Sequence, residues 1–104
     1  RKKTKEEVFT AYASAWAISD SLKDWSQSVK LREQFIDKYP VSKEAYSVRL
    51  QVISFYEGKQ FNDKIQAAEM YLKLFNDADK MDIGTDKKEN IYLKAIAIYQ
   101  ELNM

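Results

Sequence analysis

Only three residues in this 104-residue chain interrupt a helix outright: Pro40, Gly58 and Gly84. Proline lacks the amide a helix needs and collides with the preceding turn, and glycine weakens a helix interior by about 1 kcal/mol relative to alanine. A β sandwich or barrel needs turn residues at intervals of roughly eight to twelve positions. With so few breakers, the chain has room for long helices and little else.

Helix-start signals fall between the breakers. Thr4 and Glu7 have the spacing of a capping box, opening a first helix that runs to about Ser21 with Val8, Phe9, Tyr12, Ala13, Ala15 and Trp16 at helical spacing. Asp24, three residues before Gln27, caps a second helix carrying Trp25, Val29, Phe35, Ile36 and Tyr39 and stopped by Pro40. Ser42 caps a third helix to about Glu57. Its Ala45, Val48, Val52 and Phe55 face one way while Tyr46, Leu50 and Ile53 face another, so it is expected to be covered on two sides. Gly58 closes it, expected in the left-handed conformation. Asn62 or Asp63 opens a fourth helix with Ile65, Ala68, Leu72 and Phe75. Residues 76–85 read as the one loop. Asp86 with Glu89 caps a fifth helix bearing Ile91, Ala95, Ile98 and Leu102, plus a second apolar side of Leu93, Ile96 and Tyr99.

A shift of 36 residues lays the second helix on the fourth. Trp25 meets Phe61, Val29 meets Ile65, Phe35 meets Tyr71, Ile36 meets Leu72 and Tyr39 meets Phe75. A repeated helix–turn–helix buries its apolar stripes by stacking on its neighbours. The expected fold is all-α: five helices as two and a half stacked antiparallel hairpins in one domain over residues 1–104. The repeat units fall at about 5–39 and 42–76, with an extra helix at about 86–103.

The stretch from Phe35 through Tyr39-Pro40 and Ser42 to Ala45-Tyr46 resembles the inter-repeat signature of the tetratricopeptide family, and Phe55 to Phe61 resembles its intra-repeat turn, here with two extra residues. The string is especially similar to divergent repeats of bacterial envelope tetratricopeptide proteins and to the helical part of nutrient-binding lipoproteins. That resemblance implies a right-handed α-solenoid, a bacterial source and a place on the periplasmic side of the envelope ahead of the cytoplasm. It also implies a scaffold that holds another protein or a peptide in a groove. The groove of the second unit would be lined by Lys43, Tyr46, Ser47, Leu50 and Ser54, with Arg49 and Lys43 as anchors for acidic partners. That of the first would be lined by Thr10, Ala13, Ser14, Ala17 and Asp20. The Lys/Asn set that clamps a peptide carboxylate in chaperone-binding members is missing.

The chain has no cysteine and no histidine, so an imidazole base, a thiol nucleophile and an ordinary zinc site have no residues to build them. No catalytic residue, metal or cofactor is expected. Asp77, Asp79, Asp82, Asp86 and Glu89 surround Gly84, but with Gly84 at the sixth position of a calcium loop the third, fifth and twelfth fall on Met81, Ile83 and Asn90. The acids read as a solvated, helix-capping loop. The net charge of +1 includes Arg1, Lys2, Lys3 and Lys5; without those four, thirteen basic residues stand against sixteen acidic ones, a poor match for nucleic acid. No run of residues is apolar enough to span a bilayer. The expected partner is therefore a protein or peptide. The fifth helix, through Tyr92 and Tyr99, is the candidate surface for a partner or for self-association, because nothing after it covers its second apolar side. A structural subunit of a fixed assembly and a peptide or small-molecule sensor are the alternatives.

Overall fold

The computed structural model describes residues 1–104 and is all-α: α1 (Lys5–Ser21), α2 (Trp25–Lys38), α3 (Lys43–Glu57), α4 (Lys64–Asp77), one 3₁₀ turn (Ala78–Lys80) and α5 (Thr85–Glu101). No helix is long and apolar enough to cross a membrane. The chain divides into two compact units, Arg1–Val52 and Ile53–Met104, and the division falls within α3.

Four of the five helix starts follow local chemistry. The Glu7 amide donates to Thr4 Oγ1 and the Thr4 amide donates to Glu7 Oε1, both at 3.1 Å, so the capping box is complete. Arg1 adds a fork on the same carboxylate (2.8 and 2.9 Å). The Arg1 hydrogen bonds, followed by the Thr4 amide, pull the Glu7 carboxyl down to about 2. Asp24 accepts from the Gln27 amide, Ser42 from Ala45 and Asp63 from Gln66. The fifth start differs from expectation. Gly84 occupies the cap position at φ 92°, and Asp86 lies inside the first turn. Glycine takes this positive φ without the clash a side chain would meet, and Asp86 still favours the positive end of the helix.

Gly58 does not adopt the expected left-handed conformation; the positive-φ residues are Lys23, Asn62, Asp82, Gly84 and Asn103. What Gly58 provides is space, since a Cβ there would lie 2.9 Å from the Ser54 carbonyl oxygen. The left-handed step falls on Lys23 after α1 and on Asn103 after α5. At each, the following residue donates back to the carbonyl three positions inside the helix end (Asp24 to Ser19, Met104 to Tyr99, both 2.9 Å), closing the helix as a Schellman motif.

In the first unit α1 and α2 pack as an antiparallel pair. Trp16, Phe35 and Val48 of α3 form the buried centre, with Val8, Phe9, Tyr12, Leu31, Ile36 and Tyr39 packed around it. Phe35 is the hub. Its ring meets Phe9 and Tyr39 at 5.3 and 5.4 Å and Tyr12 and Trp16 at 6.4 Å, three of the four edge-on, the arrangement ring quadrupoles favour.

A charged network lies beside this cluster. Arg32, only 5% exposed, stacks 4.9 Å over the Trp16 ring, forks onto both Asp20 oxygens (3.3 and 3.0 Å) and donates Nε to Gln51 at 2.8 Å. Ser28 bonds both Asp20 and Arg32. Burial acts to raise the Asp20 carboxyl, but hydrogen bonds from Arg32 and Ser28 and the guanidinium charge outweigh it and hold the group below its ordinary 3.8. A folded value below the unfolded one means the stabilisation is complete above the unfolded value and is lost as pH falls through the folded one. The unfolding midpoint, followed by tryptophan fluorescence, is therefore expected to be level from about pH 7 to 5 and to drop below about pH 4. The drop should be shallower in Asp20→Asn; an equal drop would place the acid sensitivity in other carboxylates.

In the second unit α4 packs antiparallel to α5, with Lys64 paired to Glu101 at one end and Lys88 to Asp79 at the other. Ala67, Ala68, Tyr71 and Leu74 of α4 and Ile91, Ala95 and Ile98 of α5 are buried. The Tyr71 hydroxyl donates to Glu57 Oε1 at 3.0 Å; burial first, then this bond, pushes its ionisation upward.

The buried residues also correct the repeat register. In α2 they are Ser28, Val29, Arg32 and Phe35; in α4 they are Ala67, Ala68, Tyr71 and Leu74. These sets match one for one at a shift of 39, not 36. Phe61, expected opposite Trp25, precedes α4, and Ile65, expected opposite Val29, is 45% exposed. The turn before α2 has three residues and the one before α4 has six, so the insertion is three residues rather than two.

Candidate functional site: the outer side of the last helix

α5 turns Ile91, Ala95 and Ile98 inward, which leaves the adjoining residues outside. Tyr92 is 43% and Leu93 60% exposed. The Tyr92 ring rests on Phe75 of α4, centroids 5.1 Å apart at 47°. Lys88, bonded to Asp79 at 2.8 Å, lies 4.9 Å over the same Phe75 ring. Phe75, Glu89, Tyr92 and Leu93 line a shallow depression of about 280 Å³. Its walls are two aromatic rings and an aliphatic side chain, and its rim carries one carboxylate. Such a site receives an apolar side chain and orients it with one charge.

Tyr99, two turns further along α5, is half-buried. On α3, Lys43 and Ser47 are exposed, and Tyr46 and Leu50 are half-buried. Arg49 is 7% exposed and donates to the Pro40 carbonyl at 3.2 Å; its guanidinium braces the α2–α3 turn instead of standing free as an anchor. Of the first-unit groove residues, Thr10, Ser14 and Ala17 are exposed and Ala13 is half-buried, whereas Asp20 is engaged by Arg32. The structure thus joins Tyr92 to Phe75, Glu89 and Leu93. The sequence pattern places Phe75 on the apolar stripe of α4 and Glu89 at the start of α5 as a capping partner of Asp86. The spacing of Glu89 and Leu93, one turn apart on α5, is a signal for Glu89; Phe75, on α4, reaches the site only through its packing on Tyr92.

The acidic loop forms a small polar cup between Asp79, Asp82 and Gly84. Lys88 fills the acid side of it by its bond to Asp79, and no group of three carboxylates converges there.

No family model matches this chain, and neither a curated protein nor a solved structure matches it.

Proposed function

We propose that the chain is a non-catalytic, tetratricopeptide-like helical module that holds another protein, and that the depression on α4 and α5 is where the partner's apolar side chain seats. The observation that carries this reading is the exposure of Tyr92 and Leu93 beside Phe75. Apolar groups left in water at a concave place lose that cost when a partner covers them. The absence of histidine and cysteine supports binding over catalysis, and the helix-pair pattern with its aromatic-Pro step supports the family reading.

Selection of peptides from a displayed library against the whole chain tests the proposal. Selected peptides should share an aromatic or branched aliphatic residue. Leu93→Glu should weaken their binding by at least about tenfold, the scale of a buried anchor, while Ile65→Glu, an exposed apolar residue of α4, should leave it unchanged. Peptides that bind Leu93→Glu as tightly as the parent, or a selection that yields none, would overturn it.

A further inference from the structure

Twice within its own fold this chain lays a cation on an aromatic ring and ties it to a carboxylate. Arg32 stacks 4.9 Å over Trp16 and forks onto Asp20, one turn further along α1. Lys88 lies 4.9 Å over Phe75 and bonds Asp79 at 2.8 Å, again one turn further along the chain. Both arrangements add the attraction of a ring face for a cation to a charge-assisted hydrogen bond. Glu89 and Tyr92, three residues apart on α5, bring the same two groups to the edge of the depression, where the ring is 43% exposed and the carboxylate faces solvent. The acid precedes the ring here. Residues at this spacing are neighbours on a helix surface, about 5–6 Å between their Cβ atoms, so a single guanidinium can meet both.

The charges around this pair favour a cation. From Phe75 to Leu93 five acids stand against three lysines. The residues of α5 that share a face with Glu89, at spacings of three, four, seven and eight, are Asp86, Tyr92, Leu93, Ile96 and Ala97: a second carboxylate and no base. The lysines lie elsewhere. Lys88 is held by Asp79 and Lys94 lies 5.9 Å over Tyr71 of α4. Lys87 and Lys73, two positions from Glu89 and from Phe75, are on the far sides of their helices, and Lys80 belongs to the 3₁₀ turn. We infer, resting on the seating of an apolar side chain in this depression, that the partner is basic there. Beside the apolar side chain it carries a cationic one, best an arginine, whose stem lies along Tyr92 and whose charge pairs with Glu89. Arginine fits best because its planar group stacks and forks at once. Leu93 and Glu89 are one turn apart, about 5.4 Å along the helix. The two side chains of the partner are therefore one to four positions apart, the closer spacings for an extended segment and the wider for a helical one.

Peptide selection on the whole chain and on its Glu89→Lys variant separates the basic partner from the apolar seat. Peptides taken by the parent should carry arginine or lysine one to four positions from their apolar residue, and those taken by Glu89→Lys should carry aspartate or glutamate there. Glu33→Lys, the same change of charge at an exposed residue of α2, should select basic peptides as the parent does. Replacing the basic residue of a parent-selected peptide by glutamine should weaken its binding to the parent by at least about fivefold, the scale of a cation on a ring joined to an exposed ion pair. The same replacement should weaken binding to Glu89→Gln by less than about twofold, since the two changes remove one interaction. Leu93-dependent peptides that are neutral or acidic, or that bind Glu89→Gln as tightly as the parent, would overturn the basic partner and leave the apolar seat standing. Acidic peptides on Glu33→Lys would trace the preference to net charge and overturn it too. Peptides indifferent to Leu93→Glu, or none at all, would overturn both.

Discussion

Phe35→Ala is expected to destabilise the first unit by about 3–5 kcal/mol, the range for deleting a fully buried aromatic ring. Phe35 has no exposed surface, and four aromatic rings meet it. Three of those rings are on α1 and the fourth, Tyr39, is the C-cap of α2, so they cannot close around an alanine without moving a backbone. The cost then combines lost transfer energy with a cavity that stays open. Both tryptophans, Trp16 and Trp25, lie in the first unit, so their fluorescence during urea unfolding reads this unit directly. Leu22→Ala, at a residue mostly in solvent, is the control and should shift the transition by no more than about 0.5 kcal/mol. A Phe35→Ala loss near 1 kcal/mol would mean that the ring cluster relaxes and that Phe35 is not its hub.

How legible this molecule is depends on the range of the interaction. Thr4, Asp24, Ser42 and Asp63 each serve an amide three residues away, so the sequence nearby contains the whole event. The α5 start misled for the same reason: Asp86 and Glu89 satisfy the local rule as well, but the backbone had already turned at Gly84. The repeat register misled because a slip of three residues is close to one helical turn of about 3.6. An apolar stripe therefore nearly superimposes on itself when displaced by that amount, and the burial pattern is needed to tell shifts of 36 and 39 apart. On α5 the second apolar side was evident from spacing. Which of its members stay outside was not, since that depends on how α4 lies against it: Leu93 remains in solvent, whereas Ile96 and Tyr99 are half-covered. Arg32 was the least visible. An arginine on a helix is ordinarily a surface residue, and its only signal is that it continues the stripe of Val29 and Phe35.

That buried arginine carries the second large effect. Asp20→Ala is expected to cost the first unit about 3 kcal/mol, the lower part of the range for breaking a buried pair, because the Asp20 side chain is itself 33% exposed. The loss arises less from the missing attraction than from what remains. The Arg32 side chain, 7% exposed, would stay in its place against Ser28, Gln51 and the Trp16 face without the carboxylate that its guanidinium forks onto. Removing the charge as well should reverse much of the effect. Asp20→Ala with Arg32→Met is expected to be more stable than Asp20→Ala alone by at least about 1 kcal/mol, since a flexible apolar chain of similar length can lie on Trp16 without desolvating an ion. Urea unfolding of the two single variants and the double, read by tryptophan fluorescence, gives the coupling directly. If the double variant is less stable than Asp20→Ala, the arginine is held by its stacking and its bonds to Ser28 and Gln51 more than by the carboxylate, and Asp20 is a bystander at the edge of the network.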